Sequence, residues 1–145
     1  DIASVALGAG IDGLIVSNTT VDRPIGMVSR YATQPGGLSG RPLFAPSTAL
    51  LADMSRLTQG RLPLIGVGGV GSAAEAYQKI RAGACLVQLY TALGFAGPGL
   101  VTEIKKGLAE LLRAEGFTCV AEAVGAPAPP TGGSSERVGV AEAPS

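Results

Sequence analysis

The sequence predicts an α/β fold in which three strand–loop–helix units follow one another and build a parallel sheet. Three observations predict it. Short, uniformly apolar runs at Leu14-Ile15-Val16, Pro63-Leu64-Ile65 and residues 85–89 alternate with helical patterns. None of the runs shows the in–out alternation of a strand with one wet face, so each reads as a strand covered on both faces. Each run also ends in residues suited to a ligand: Ser17-Asn18-Thr19, the glycines from 66 to 71, and Tyr90-Thr91. Ligands of parallel α/β folds gather at the C-terminal ends of strands.

In chain order, residues 1–10 read as the end of a helix running into Gly8 and Gly10, and Asp12-Gly13 as a turn before the first strand. The chain opens at Asp1 inside that helical pattern, as a cut N-terminus would. A long irregular segment follows from Val21 to about Ala45, broken by Arg23-Pro24, Pro35-Gly36-Gly37 and Ser39-Gly40-Arg41-Pro42. Loops of that length are uncommon and often functional. Pro46-Ser47 starts the next helix with Ser47 as N-cap, and Leu50, Leu51, Met54 and Leu57 form its inward face up to Gly60. After the second strand and the glycine cluster, Ser72 and Glu75 match a capping box. The helix over 73–82 turns Ala73, Ala76, Tyr77 and Ile80 inward and stops at Gly83, a C′ glycine. The third strand is followed by Gly97-Pro98-Gly99 and a strongly amphipathic helix. Leu100, Val101, Ile104, Leu108, Leu111 and Leu112 make its apolar face; Glu103, Lys105, Lys106, Glu110 and Arg113 make the other. Residues 1–125 thus form the ordered part. The Pro/Gly/Ser-rich residues 126–145 read as a disordered tail.

Composition excludes several function classes. The formal net charge is zero and no run of like charge occurs, against a nucleic-acid interface. No apolar stretch approaches the ~20 residues of a membrane span, and no targeting segment is expected. The chain has no histidine, which removes the His base, the Ser–His dyad and His metal ligands. Cys85 and Cys119 stand far apart and read as reduced, largely buried thiols, not a zinc site or redox pair.

Gly66, Gly68 and Gly71 satisfy the dinucleotide pattern G-x-G-x-x-G between a strand and a helix. That pattern wants an acidic residue about 20 positions on, at the end of the next strand. Here that strand ends in Leu86-Val87-Gln88-Leu89-Tyr90, with no acid. A (β/α)8 barrel offers a different reading. In it a phosphate sits between the loops after strands seven and eight, at a short extra helix. Gly68-Gly69 and Tyr90-Thr91 are then two halves of one site, Thr91-Ala92-Leu93 is the short helix, and the single phosphate of FMN is a fitting occupant. The first N–H groups of the helix after the cluster would also point at the anion. A third possibility is that the glycines merely permit tight helix–strand packing.

Four motifs in order carry a family resemblance: Ser17-Asn18-Thr19-Thr20 with Arg23-Pro24; Gly36-Gly37-Leu38-Ser39-Gly40-Arg41-Pro42-Leu43; Gly60-Arg61 with Pro63 through Gly69; and Ile80-Arg81-Ala82-Gly83-Ala84 with Leu86 through Leu93. Over about residues 1–126 the chain resembles class 2 dihydroorotate dehydrogenase, and it looks like the animal mitochondrial form through Thr58-Gln59-Gly60-Arg61 and Tyr90-Thr91-Ala92-Leu93. The resemblance implies an FMN-containing (β/α)8 barrel of the inner mitochondrial membrane that oxidises dihydroorotate to orotate in pyrimidine synthesis and passes electrons to ubiquinone. By motif match it implies that Ser17, Gly40, Gly69, Tyr90 and Thr91 contact FMN and that Asn18 and Thr19 hold the substrate. The Asn18 amide offers donors and an acceptor to the carboxylate and imide edge of orotate. Asn18 as a turn-stabilising residue and Tyr90 as a core residue are the plainer alternatives. Arg23, Arg41 and Arg61 read as surface or loop-anchoring residues, not catalytic ones. Residues 93–98 match part of the family's quinone channel, with Gly94 and Ala96 smaller than usual.

Such a barrel takes ~250 residues, and the resemblance assigns this chain its strands six to eight. The family's catalytic serine base, a flavin-contacting lysine, further asparagine ligands and the membrane-docking helices belong to its earlier part. The expectation is a C-terminal piece of the enzyme, inactive alone, with its membrane association residing in the missing N-terminal part. The alternative is a truncated, non-catalytic FMN-binding or interaction module.

Overall fold

A computed structural model describes residues 2–23 and 27–127. The greater part of the expected tail, from residue 128 onward, lies outside the described residues. The elements are α1 (Ile2–Ala9), β1 (Leu14–Val16), a 3-10 turn (Arg41–Leu43), α2 (Phe44–Thr58), β2 (Leu64–Val67), α3 (Ala73–Arg81), β3 (Leu86–Gln88), α4 (Thr91–Ala96), α5 (Gly99–Ala114) and α6 (Val120–Ala123). The three strands are parallel in the order β1-β2-β3. Their C-terminal ends therefore lie at one edge, and the three chemistry-bearing loops emerge together.

Register shows how the sheet is sided. Ile15, Ile65 and Leu86 are paired across the three strands, as are Val16, Gly66 and Val87. Partners in a parallel ladder share a face, and successive residues alternate. Leu14, Val16 and Leu64 pack with Ala3, Leu51, Met54 and Ala84 against α1 and α2. Val87 joins Val70, Ala76, Leu100 and Ile104 against α3 and α5. Among the described residues no helix covers the other face: Ile15 is 53% exposed and Leu86 62%. The expectation of strands covered on both faces thus fails, because only one layer of helices packs on this sheet.

Helix starts and faces also differ in detail. α2 begins at Phe44, and Ser47 is an interior, fully buried residue of the helix, not its N-cap. Its buried stripe is Ser47, Leu51, Met54 and Thr58; Leu50 and Leu57 are exposed. Two of the four inward positions are hydroxyls that bond back to helix carbonyls, Ser47 to Phe44 at 3.2 Å and Thr58 to Met54 at 2.8 Å. A buried hydroxyl satisfied this way is tolerated in a helix face. On α5, Leu100, Ile104 and Leu112 are buried while Val101 is exposed.

α3 holds its expected limits. Ser72 Oγ accepts from the Glu75 N–H at 3.2 Å. At the other end the Gly83 N–H bonds Ile80 O and the Ala84 N–H bonds Lys79 O, the paired bonds of a Schellman cap, with Gly83 at φ 111°. Ala76, Tyr77 and Ile80 are buried as expected. Lys79 is buried as well, which the apolar pattern did not indicate. Both cysteines are unpaired but exposed, contrary to the expected burial. Cys85 immediately precedes β3 and donates its thiol to Leu64 O at 3.3 Å, and Cys119 precedes α6.

Candidate functional site

The cleft forms where the three strands end. It has a volume of about 630 Å³, and all seven residues singled out from the sequence line it: Ser17, Asn18, Thr19, Gly40, Gly69, Tyr90 and Thr91. Ser39, Arg41, Glu75 and Phe95 line it too.

The loop after β1 supplies residues 17–19. Asn18 Oδ1 accepts from the Thr19 N–H at 2.8 Å, so its acceptor is turned into the loop. The Ser17 hydroxyl donates to Asn18 O at 3.3 Å. Thr19 is seated against Gly37, where an added Cβ would fall 1.8 Å from Thr19 Oγ1; only glycine fits there. An antiparallel bridge between Thr20 and Leu38 closes this contact. Arg23 organises the long loop. Its guanidinium donates to the carbonyls of Thr20, Val21, Asp22, Ala32, Gln34 and Gly36. Six carbonyls on one cation make it a loop anchor, as expected, and leave residues 39–41 positioned over the cleft. Arg61 likewise donates to Thr58 O at 3.3 Å. Arg41 is exposed, in keeping with a surface residue, and its exposed side lines the cleft.

The glycine turn after β2 is set against α2. Gly69, at φ 74°, has the Phe44 backbone 2.6 Å from where its Cβ would be, and Gly68, at φ 105°, has Ser47 Oγ at 2.8 Å. Close packing therefore requires both glycines on one side, while their other side lines the cleft. Glu75 Oε2 accepts from the Gly71 N–H at 2.8 Å and from Ser72 Oγ at 3.0 Å. The chain's own carboxylate thus takes the N–H and the hydroxyl just ahead of α3, while the Glu75 N–H is held by Ser72 Oγ.

Behind the turn lies a feature that the motifs did not include. Lys79 Nζ donates to Ser47 Oγ at 2.6 Å and lies 3.4 Å from Val67 O and 5.2 Å from the Phe44 ring centre. The side chain is wholly buried, and burial pushes its pKa down from 10.5 to about 8. The only sequence signal was a lysine one position from an inward-facing Ile80.

The loop after β3 completes the cleft. Tyr90 is 88% exposed and takes no part in the core of this chain. Thr91–Ala96 forms the expected short helix. Thr91 Oγ1 and Ser39 Oγ are hydrogen-bonded at 3.0 Å, and a Cβ on Gly40 would meet Thr91 Cγ2 at 3.1 Å. The first and third loops thus meet across the second. The acidic residue that lines the cleft, Glu75, is bonded to Gly71 and Ser72, and β3 carries none, so no acid stands where a dinucleotide fingerprint needs it.

A family model of dihydroorotate dehydrogenases matches residues 1–112. The chain belongs to the dihydroorotate dehydrogenase family. It is 64% identical over 127 residues to the dihydroorotate dehydrogenase (quinone) of Parvibaculum lavamentivorans, covering 87% of this chain and 36% of that one. Identity to the mitochondrial enzyme of Arabidopsis thaliana is 56%, covering 87% and 28%, and to that of Mus musculus 54%, covering 86% and 32%. A ferulenol complex of the Eimeria tenella enzyme superposes with a TM-score of 0.83 at 44% identity, over 86% of this chain and 33% of that chain. The fold is that of three βα units of a (β/α)8 barrel. The chain spans about a third of the length of the dihydroorotate dehydrogenases it matches.

Proposed function

We propose that this chain forms the FMN- and substrate-holding part of an enzyme that oxidises dihydroorotate to orotate with ubiquinone as electron acceptor, a step of pyrimidine synthesis. The observation that carries the reading is the convergence of residues 17–19, Gly40, Gly69 and Tyr90-Thr91 on one cleft at the strand ends. The cleft fits a flavin mononucleotide in size and in kind. It is bounded by a glycine turn with a buried cation behind it, and by polar side chains on the opposite loop. Gly69, Gly40, Tyr90 and Thr91 would hold the phosphate end, and Ser17 the ring. Asn18 and Thr19 would orient the planar substrate through amide and hydroxyl bonds. When bound, FMN supplies the two-electron acceptor for the oxidation. None of these cleft residues is assigned the removal of the proton. That role stays with the serine that the resemblance places on an earlier loop of the family.

The quinone and mitochondrial parts of the reading draw support from the relatives' names. A mitochondrial location draws on the plant and mouse enzymes, whereas the bacterial relatives share the same cleft-forming stretch. The test uses the protein expressed from its complete coding sequence, with any residues encoded ahead of Asp1. We expect stoichiometric FMN and dihydroorotate-dependent reduction of a ubiquinone analogue. Asn18→Ala should raise KM for dihydroorotate at least tenfold while FMN stays bound. FMN binding without turnover would favour a non-catalytic flavin-binding module, and a protein without FMN would refute the proposal.

A further inference from the structure

Lys79 does not line the cleft, and no role follows for it from the motifs. Its ammonium is buried, and neither ion pair among the described residues involves it. A buried cation without a carboxylate partner destabilises a fold unless something else uses the charge. Its surroundings show what that is. Lys79 Nζ donates to Ser47 Oγ and lies against Val67 O. Having accepted from the ammonium, Ser47 Oγ keeps one proton, and Gly68 O is in reach at 3.2 Å, as is Phe44 O. Two consecutive carbonyls, of Val67 and Gly68, therefore face the Lys79–Ser47 pair. Both following peptide bonds are trans. In a planar trans peptide the N–H points opposite to the C=O. The N–H groups of Gly68 and Gly69 are thereby directed to the other side, where both residues line the cleft. Successive N–H groups turned to one side make an anion-binding concavity.

We infer that Lys79, acting through Ser47, is a positioning residue for the phosphate of the flavin: it holds two peptide planes of the glycine turn and sets a full positive charge behind them. This rests on the flavin-site reading above. The inference separates the phosphate from the ring, because FMN and riboflavin share the isoalloxazine and differ at the phosphate. A lysine that only fills space serves both flavins equally.

The experiment measures dissociation constants for FMN and for riboflavin on flavin-stripped protein expressed from its complete coding sequence. Wild type, Lys79→Met and Ser47→Ala are compared. Lys79→Met is expected to weaken FMN by about tenfold or more, the scale of one charge-assisted bond, and to leave riboflavin within about twofold. Ser47→Ala should shift the same ratio in the same direction by about threefold, and it carries the test if the methionine variant does not fold. Equal weakening of both flavins, or unchanged FMN affinity in both variants, overturns the inference. Wild-type protein that binds neither flavin overturns the flavin-site reading itself, and that result appears before any substitution is made.

Discussion

At Lys79 the chain keeps a charge where a methionine of similar length would pack. The consequence is readable as a pH dependence of stability. The folded pKa, about 8, lies below the ordinary 10.5 because burial disfavours the ammonium. Below pH 8 the lysine is charged in both states and the folded state carries the full burial cost. Between pH 8 and 10.5 the unfolded chain holds more of the proton, so stability rises with pH; above 10.5 the difference is gone. Lys79→Met should therefore stabilise flavin-free protein at pH 7, by about 1–3 kcal/mol, and the gain should shrink toward pH 10.5. Denaturant unfolding of both proteins at the two pH values checks this, and a gain that does not change with pH would count against it. The seven cleft residues were legible because each sits in a short motif, six of them at strand ends and Gly40 in the long loop before the 3-10 turn. Lys79 and Ser47 were not. A lysine on an amphipathic helix ordinarily faces water, and a serine near a helix start ordinarily caps it; only the packing of α2 on α3 brings the two together.

At the scale of elements, strand and helix limits followed from local signals wherever a single residue type decided them. Gly83 stops α3 because the chain needs a positive φ there, and Ser72 starts it because its hydroxyl meets the Glu75 N–H. Ser72→Ala should cost about 1 kcal/mol of stability by denaturant unfolding. It should also weaken the hold on Glu75, whose carboxylate then relies on the Gly71 N–H. A loss below a few tenths of a kcal/mol would show that the Gly71 bond alone fixes the helix start. The face of α2 was read out of phase because its inward stripe ends in Ser47 and Thr58. An apolar count passes over buried hydroxyls, here Thr58 bonded to its own helix and Ser47 bonded to Lys79 and within reach of the Phe44 and Gly68 carbonyls. Strand burial was misread for a different reason. A uniformly apolar run does show that two faces are meant to be covered, but it says nothing about whether this stretch of chain brings the second cover.

For the whole molecule, that second face is the governing fact. Ile15, Ile65 and Leu86 stand in a row across the sheet, with no helix over them among the described residues. In a (β/α)8 barrel such a row belongs to the packed interior. The 145-residue chain expressed by itself is expected to associate, eluting well above its 14.4 kDa in size-exclusion chromatography. Leu86→Glu should shift it toward the monomer. A chain that stays monomeric without the substitution would mean that the row is tolerated in water. The parallel order and the gathering of loops at one end were legible from alternating elements alone. That the sheet closes into a barrel came from the motifs and the relatives, since three strands fix no curvature.

The buried position of Lys79 has one more consequence. With zero formal net charge, the molecule as a whole offers an anion no general attraction. The cation behind the glycine turn is sealed by Ser47, Phe44 and β2, out of reach of mobile ions. Dissolved salt screens exposed charges within about 10 Å at 0.1 M but buried ones far less. On the flavin-site proposal, the pull of this charge on a phosphate at the turn would change less with ionic strength than that of a site built from surface lysines.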